Sequence, residues 1–153
     1  MKPTEGQQAP DFEFETLDGQ RKKLSDMRGK KIILYFYPKD NTPGCTAEAC
    51  SLRDAYADFS NANTEVVGVS ADDEEKHAKF RKKHDLPFPL IADTDKKVIA
   101  EYGVWGRKKF MGKEFDGIIR TTFIIDEKGK IAHVIDKVKT KTHAEQINEI
   151  LND

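Results

Sequence analysis

Short, strongly apolar runs alternate along this chain with polar stretches of helical period, and the period of each run predicts its element. Phe12, Phe14 and Thr16 alternate with Glu13 and Glu15, Asp18-Gly19 supplies a turn, and Arg21 to Leu24 returns, which predicts an N-terminal hairpin. Ser25-Asp26 is expected to cap a short helical turn ending near Gly29. Lys31 to Tyr37 is apolar on both faces, as in a central strand covered on both sides. A turn rich in Pro and Gly then leads into a helical pattern that carries Cys45 in its first turn and ends near Phe59. Glu65 to Ser70 reads as a second buried strand and Asp72 to His84 as a helix with an Asp cap. After the break at Pro87-Phe88-Pro89 come a short strand, Leu90 to Ala92, and a helix from Asp95 to Tyr102. Ile118 to Asp126 and Lys130 to Ile135 flank Glu127-Lys128-Gly129 as a hairpin, and Thr142 caps an amphipathic helix running to Leu151. Alternating strands and helices, closed by a hairpin and a helix, predict an α/β fold with a mixed central β-sheet flanked by helices.

Composition narrows the setting. At 153 residues, one domain spanning 1–153 is expected, large enough to bury a core without staples. A net charge of -1 predicts no nucleic-acid or anionic-membrane partner. The basic clusters Arg81-Lys82-Lys83, Arg107-Lys108-Lys109 and Lys137 to Lys141 are interleaved with or flanked by acids or apolar residues and read as solvated faces. Residues Met1 to Gln8 lack the apolar core of a secretory signal, and no apolar run reaches bilayer length. A cytoplasmic, reducing location follows, where two nearby cysteines act as redox groups more readily than as a staple.

Both cysteines lie in the segment Pro38-Lys39-Asp40-Asn41-Thr42-Pro43-Gly44-Cys45-Thr46-Ala47-Glu48-Ala49-Cys50. Cys45 sits at the start of the expected helix, where backbone N–H groups without intrahelical partners favour a thiolate. On a helical wheel Cys45, Ala49, Leu52, Tyr56 and Phe59 share the stripe that should face the core. Cys50 lies about 140° away, toward Asp54 and Ala57. In an intact helix the two Cα atoms would be roughly 8–9 Å apart, whereas a disulfide rarely tolerates more than about 7 Å. A Cys45–Cys50 bond therefore requires part of the helix to unwind.

A free thiol is only about 3% ionised at pH 7, so full ionisation gains at most ~30-fold in rate, about 2 kcal/mol. Fast cleavage of a peroxide needs more, because charge develops on the departing oxygen and must meet fixed donors. Candidates are the Thr42 hydroxyl, three residues before Cys45, and the backbone N–H groups of Gly44 and Cys45; Pro38 can cover the sulfur and Pro43 stiffens the turn. Simpler roles exist for each. Cysteine is often a small buried hydrophobe, Thr42 followed by Pro43 makes an ordinary helix start, and Arg120 taken alone is an ordinary charge before an apolar strand. His77, His84, His133 and His143 show no metal-ligand spacing with the cysteines. Trp105, Phe110 and Phe115 read as core or loop anchors.

The pattern Pro38-x-x-x-Thr42-x-x-Cys45 resembles the active-site signature of the peroxiredoxins. The string from Tyr35 to Thr46, with Cys50 after Glu48-Ala49, is similar to the bacterioferritin-comigratory-protein or peroxiredoxin Q subfamily. The likeness runs over nearly the whole chain, including Ala9-Pro10-Asp11-Phe12 and Arg120-Thr121-Thr122-Phe123-Ile124-Ile125-Asp126. It implies a thioredoxin-like fold and a thiol peroxidase acting on hydrogen peroxide and small organic hydroperoxides without metal, haem or flavin. By the same resemblance Cys45 is the peroxidatic nucleophile, Thr42 hydrogen-bonds thiolate and peroxide, and Arg120 stabilises the thiolate and orients the peroxide. Pro38 and Gly44 then shape the peroxide pocket, Cys50 resolves the sulfenic acid as a Cys45–Cys50 disulfide, and thioredoxin or a similar dithiol reduces that bond. The chain ends at a short helix without the Tyr-Phe arm of dimeric relatives, which implies a monomer or weak dimer. Two other classes compete: a thioredoxin-type thiol–disulfide oxidoreductase, which normally needs the Cys-x-x-Cys absent here, and a non-enzymatic redox sensor whose cysteine helix unfolds.

Overall fold

The computed structural model describes residues 2–151, and every side chain among them except that of Phe110. The N-terminal hairpin forms as expected from β1 (Glu13–Glu15) and β2 (Arg21–Lys23), paired antiparallel. A short 3-10 turn, Leu24–Met27, follows. Asp26 rather than Ser25 caps it, accepting the Lys23 N–H at 2.9 Å, while the Ser25 hydroxyl donates to Asp11 at 2.7 Å.

The main sheet has five strands in the order β5-β4-β3-β8-β9. At its centre β3 (Lys31–Phe36) runs parallel to β4 (Thr64–Ser70) and antiparallel to β8 (Thr121–Ile125). The edges are β5 (Leu90–Ala92), parallel to β4, and β9 (Ile131–Ile135), antiparallel to β8. Strand β3 shows why its sequence is apolar throughout. Ile32, Leu34 and Phe36 face one core with Phe12, Phe14, Ile99, Tyr102 and Phe123. Ile33, Tyr35 and Tyr37 face a second core with Cys45, Leu52, Phe59, Phe80, Phe88 and Ile147. Successive side chains of a strand point to opposite faces, so both must be apolar when both are covered.

The helices of the second face are α1 (Pro43–Asp54), α2 (Tyr56–Asn61), α3 (Glu74–His84) and α5 (His143–Leu151); α4 (Lys97–Glu101) lies on the first. The single helix expected up to Phe59 is thus two, broken at Ala55 (φ -99, ψ 1). No Gly or Pro marks the break; the Tyr56 hydroxyl donates to Glu65 on β4 at 2.8 Å, and Phe59 is buried against the sheet. Asp73, not Asp72, caps α3 by accepting the Lys76 N–H. Asp93 caps α4, accepting from Val98 and Ile99.

A further hairpin precedes Arg120 where core or loop anchors were expected: β6 (Trp105–Phe110) and β7 (Lys113–Ile118), paired antiparallel. Ile118 therefore ends this hairpin rather than opening β8. Trp105 and Phe115 are each 42% exposed, so neither is a core anchor; the Phe110 side chain lies outside the described residues. No helix among the described residues is long and apolar enough to cross a membrane.

Gly68 on β4 is paired with Tyr35, and a Cβ there would stand 2.9 Å from the Tyr35 ring and 2.8 Å from Leu90 Cδ2. Gly68→Ala should therefore destabilise the fold by roughly 1–3 kcal/mol through overpacking. Urea denaturation monitored by circular dichroism would read this as a lower midpoint with an unchanged slope.

Candidate active site

Strand β3 ends at Phe36, and residues 37–42 carry the chain across the sheet's end to α1. This loop is tied down by buried polar groups. The Asp40 carboxylate accepts from the Tyr37 hydroxyl at 2.6 Å and faces His77 Nδ1 at 2.6 Å, while the Asp40 N–H donates to Asp72 at 2.6 Å. His77 Nε2 lies 3.0 Å from the Ile91 carbonyl, which can only accept, so that nitrogen carries a proton. Asn41 takes the left-handed conformation (φ 64) that Asn tolerates better than most residues. Thr42 is the backbone cap of α1 and Pro43 its first residue. The Thr42 hydroxyl does not cap the helix; it donates to the Lys39 carbonyl at 2.8 Å and closes the loop on itself.

Cys45 is 1% exposed, one face of its helix turned to the sheet. Arg120, in the connector between β7 and β8, extends one guanidinium nitrogen to each of two residues on α1. Its Nη2 is 3.3 Å from Cys45 Sγ and its Nη1 is 2.7 Å from Glu48 Oε1. Gly44 gives the guanidinium room: a Cβ there would stand 3.2 Å from Arg120 Nη2. Pro38 is half-buried at the head of the loop. Cys45, Gly44, Thr42, Pro38 and Arg120 thus gather at one end of the sheet. Cys50 does not share this pocket. On the stripe of α1 away from Cys45, its sulfur faces His84 on α3, with 3.9 Å between Sγ and Nδ1. Both thiols are free.

Glu48 is the site residue the sequence reading overlooked. It is completely buried, and beyond Arg120 its second oxygen lies 3.4 Å from His143 Nε2. Gln146 has a fixed orientation, because its amide nitrogen donates to Lys137 O and its oxygen accepts from Lys139 N–H. That oxygen lies 2.9 Å from His143 Nδ1, so Nδ1 carries the imidazole proton. Nε2 is left with a lone pair facing the Thr122 hydroxyl at 2.8 Å and Glu48. Burial pushes the Glu48 carboxyl up to about 7, with Arg120 opposing, and it drives His143 down to about 4. Burial also works against the charge on Arg120, but Cys45 and Glu48 more than offset it and raise its pKa. The picture is one cation serving two potential anions, one of which readily takes a proton. The sequence hint was spacing: residues 45 and 48 are one helical turn apart and can meet the same partner.

Solvent reaches Arg120 through an open depression of 480 Å³ lined by Arg107, Lys108, Lys109, Ile119, Asp136, Lys137 and Val138. Lys108 is less solvated than its cluster implied. Its ammonium donates to the Ile118 carbonyl at 2.8 Å, and burial together with Arg120 lowers its pKa. A larger cleft of 680 Å³ beside the N-terminal hairpin and α4 contains neither cysteine. Among the described residues no cluster of His, Cys, Asp and Glu has the arrangement of a metal site.

Residues 5–134 match the model of the AhpC/TSA family. Peroxiredoxin Bcp of Bacillus subtilis is 48% identical over 148 residues, covering 97% of this chain and 94% of that one. The chain belongs to the AhpC/TSA family and is a peroxiredoxin. It is therefore an enzyme, a thiol peroxidase, with the thioredoxin-like fold. The crystal structure of a PrxQ mutant from Xylella fastidiosa superposes with a TM-score of 0.90 at 30% identity, over 99% of this peroxiredoxin and 97% of that chain. The bacterioferritin comigratory protein of Xanthomonas campestris, studied for its alkyl peroxide reduction activity, gives 0.83 at 31% identity over 92% and 90%.

Because the peroxiredoxin keeps a proton on Glu48 between pH 4.5 and about 7 that the unfolded chain has lost, this group makes stability fall as pH rises. His143 acts oppositely, since between about 4 and 6.5 the unfolded chain binds the extra proton and stability rises with pH. The two contributions oppose each other where their ranges overlap, between about pH 4.5 and 6.5. Glu48→Gln removes the falling contribution, so the variant's stability should rise with pH more steeply than that of wild type between pH 4.5 and 6.5. Denaturant titrations of both proteins across that range would check this; parallel pH profiles would contradict it.

Proposed function

We propose that Cys45 is the peroxidatic cysteine of an enzyme that reduces hydrogen peroxide and small alkyl hydroperoxides, with Cys50 as its resolving cysteine. The observation that supports this most directly is the Arg120 guanidinium 3.3 Å from Cys45 Sγ, held there by Glu48 at 2.7 Å. A cation so placed favours the thiolate and donates to a peroxide oxygen that approaches the sulfur. The thiolate attacks the terminal peroxide oxygen; an S–O bond forms, the O–O bond breaks, and the alkoxide or hydroxide leaves as alcohol or water after taking a proton. Arg120 and the Gly44 and Cys45 N–H groups meet the charge that develops on the departing oxygen, where fixed donors cost no reorganisation; the Thr42 hydroxyl joins them only by turning away from the Lys39 carbonyl. Pro38 limits water at the sulfur.

Cys45 is now a sulfenic acid and Cys50 remains on the far side of α1. The helix runs unbroken from Pro43 to Asp54, so the disulfide requires it to open. The bond that results is reduced by a dithiol protein of the thioredoxin type. The likeness to the alkyl-peroxide-reducing protein of Xanthomonas campestris supports the substrate class. In this reading residues 1–153 work as one cytoplasmic domain, monomeric or weakly dimeric, without a bound cofactor, nucleic acid or membrane.

Peroxide consumption with thioredoxin as reductant tests the assignment. Cys45→Ser should abolish turnover, and Arg120→Met should slow the peroxide step by on the order of 10²–10³, the loss typical of one donor to a developing oxyanion. Cys50→Ser should complete the first step and then accumulate sulfenic or overoxidised Cys45 in intact-mass spectra. Undiminished turnover in Cys45→Ser would overturn the reading.

A further inference from the structure

The Cys50 sulfur is held against a specific imidazole. His84 closes α3, and its Nδ1 lies 3.9 Å from Cys50 Sγ, within hydrogen-bond range for sulfur. The ring is fixed in place: it packs edge-on to Phe80 with centroids 5.2 Å apart, and its other nitrogen, Nε2, is buried without a partner. The backbone is fixed as well, since Arg53, three residues beyond Cys50 on α1, donates from Nη1 to the His84 carbonyl at 2.9 Å. One imidazole nitrogen is thus aimed at the thiol, and the contact lies in the C-terminal half of α1, away from the first turn that carries Cys45.

We propose that His84 is a catalytic residue of the resolving step, the general base that takes the Cys50 proton so that this sulfur attacks as a thiolate. The proposal rests on the reading of Cys50 as the resolving cysteine. Burial, with the charges of Lys83 and Arg53, holds His84 below its ordinary value of 6.5, so the ring is neutral near pH 7 and offers a lone pair. The charged groups around the ring are those two cations and the acids Asp54, paired to Arg53 at 2.9 Å, and Asp85, which also acts on Arg53. Arg53 stands beside Cys50 too.

The step balances within the protein. The Cys50 proton moves to His84 Nδ1, and the thiolate attacks the Cys45 sulfenic sulfur. The S–S bond forms as the S–O bond breaks, and the departing hydroxide takes a proton to leave as water. Cys50 is oxidised, Cys45 is reduced from sulfenic acid to disulfide, and the imidazolium returns its proton to solvent. An unassisted thiol would present only about 3% of its population as thiolate at pH 7, so the gain from such a base reaches roughly 10–30-fold.

The test is a single-turnover experiment on the full chain. Reduced protein receives one equivalent of hydrogen peroxide, is quenched at intervals, and intact mass separates thiol, sulfenic acid and disulfide. His84→Gln should form Cys45 sulfenic acid at the wild-type rate, then form the disulfide about 10–30-fold more slowly at pH 7. The deficit should shrink toward pH ~9, where the thiol ionises unaided, and added imidazole should restore part of the rate in His84→Gly. A second measurement avoids any dependence on helix opening. In Cys45→Ser protein, the rate of Cys50 alkylation at pH 7 should fall several-fold when His84→Gln is added, and the difference should disappear toward pH ~9. A wild-type disulfide rate and alkylation profile in the variants would overturn the role of His84 alone. Wild-type protein that forms no Cys45–Cys50 disulfide would overturn the resolving assignment, and this proposal with it.

Discussion

Arg120 bridges two residues one turn apart on α1, and the site depends on that single bridge. Its guanidinium touches the Cys45 sulfur with one nitrogen and the Glu48 carboxyl with the other. Three ionisable groups are thereby brought into a largely apolar interior, where each alone would be costly and where only mutual pairing makes the arrangement tolerable. The rest of the neighbourhood follows from this demand. Gly44 leaves space for the guanidinium. His143 stays neutral beside Glu48, its tautomer fixed through Gln146 by the backbone of residues 137 and 139. The antiparallel pairing of β8 with β3 delivers Arg120 to the end of the sheet where α1 begins.

The same bridge gives the helix a state-dependent anchor. While Cys45 is a thiolate, Arg120 is attracted to both of its contacts and holds the first turns of α1 wound. Once the sulfur becomes a neutral sulfenic acid in the proposed cycle, one of the two charge-assisted contacts weakens. The chain immediately before α1 is fastened independently, by Asp40 to His77, Tyr37 and the α3 cap region and by Thr42 to Lys39. In the proposed cycle, opening is thereby confined to the helix that carries the two thiols. The contact of Cys50 with His84 at 3.9 Å lies inside that mobile unit's boundary with α3.

Much of this was legible from residue patterns. The five main strands, the N-terminal hairpin and the order of helices followed from period and punctuation, because burial on both faces leaves an apolar run that nothing else explains. Cys45, Thr42, Gly44, Pro38 and Arg120 were named from their motif, and they gather at one end of the sheet. Glu48 was missed because a carboxylate within a helix ordinarily faces water, and its partner lies 72 residues away. His77 and His143 were considered only as metal ligands, yet both are completely buried and hydrogen-bonded. The β6–β7 hairpin escaped notice because its strands are largely polar and its turn, Met111-Gly112, places a methionine at positive φ where Asn or Asp is the usual signal. The break at Ala55 has no local signature either; a tertiary contact from Tyr56 to β4 accompanies it.

Helix α1 is wound in the reduced enzyme, and in the proposed cycle it must open for the two cysteines to join. Amide hydrogen exchange read by mass spectrometry on peptides spanning residues 43–54 tests it directly, comparing fully reduced protein with protein oxidised by one equivalent of peroxide. Exchange should be slow in the reduced form, with loss of protection confined to this segment and its contact with α3 once the disulfide forms. Oxidised protein that carries the Cys45–Cys50 bond yet retains full protection across residues 43–54 would contradict it.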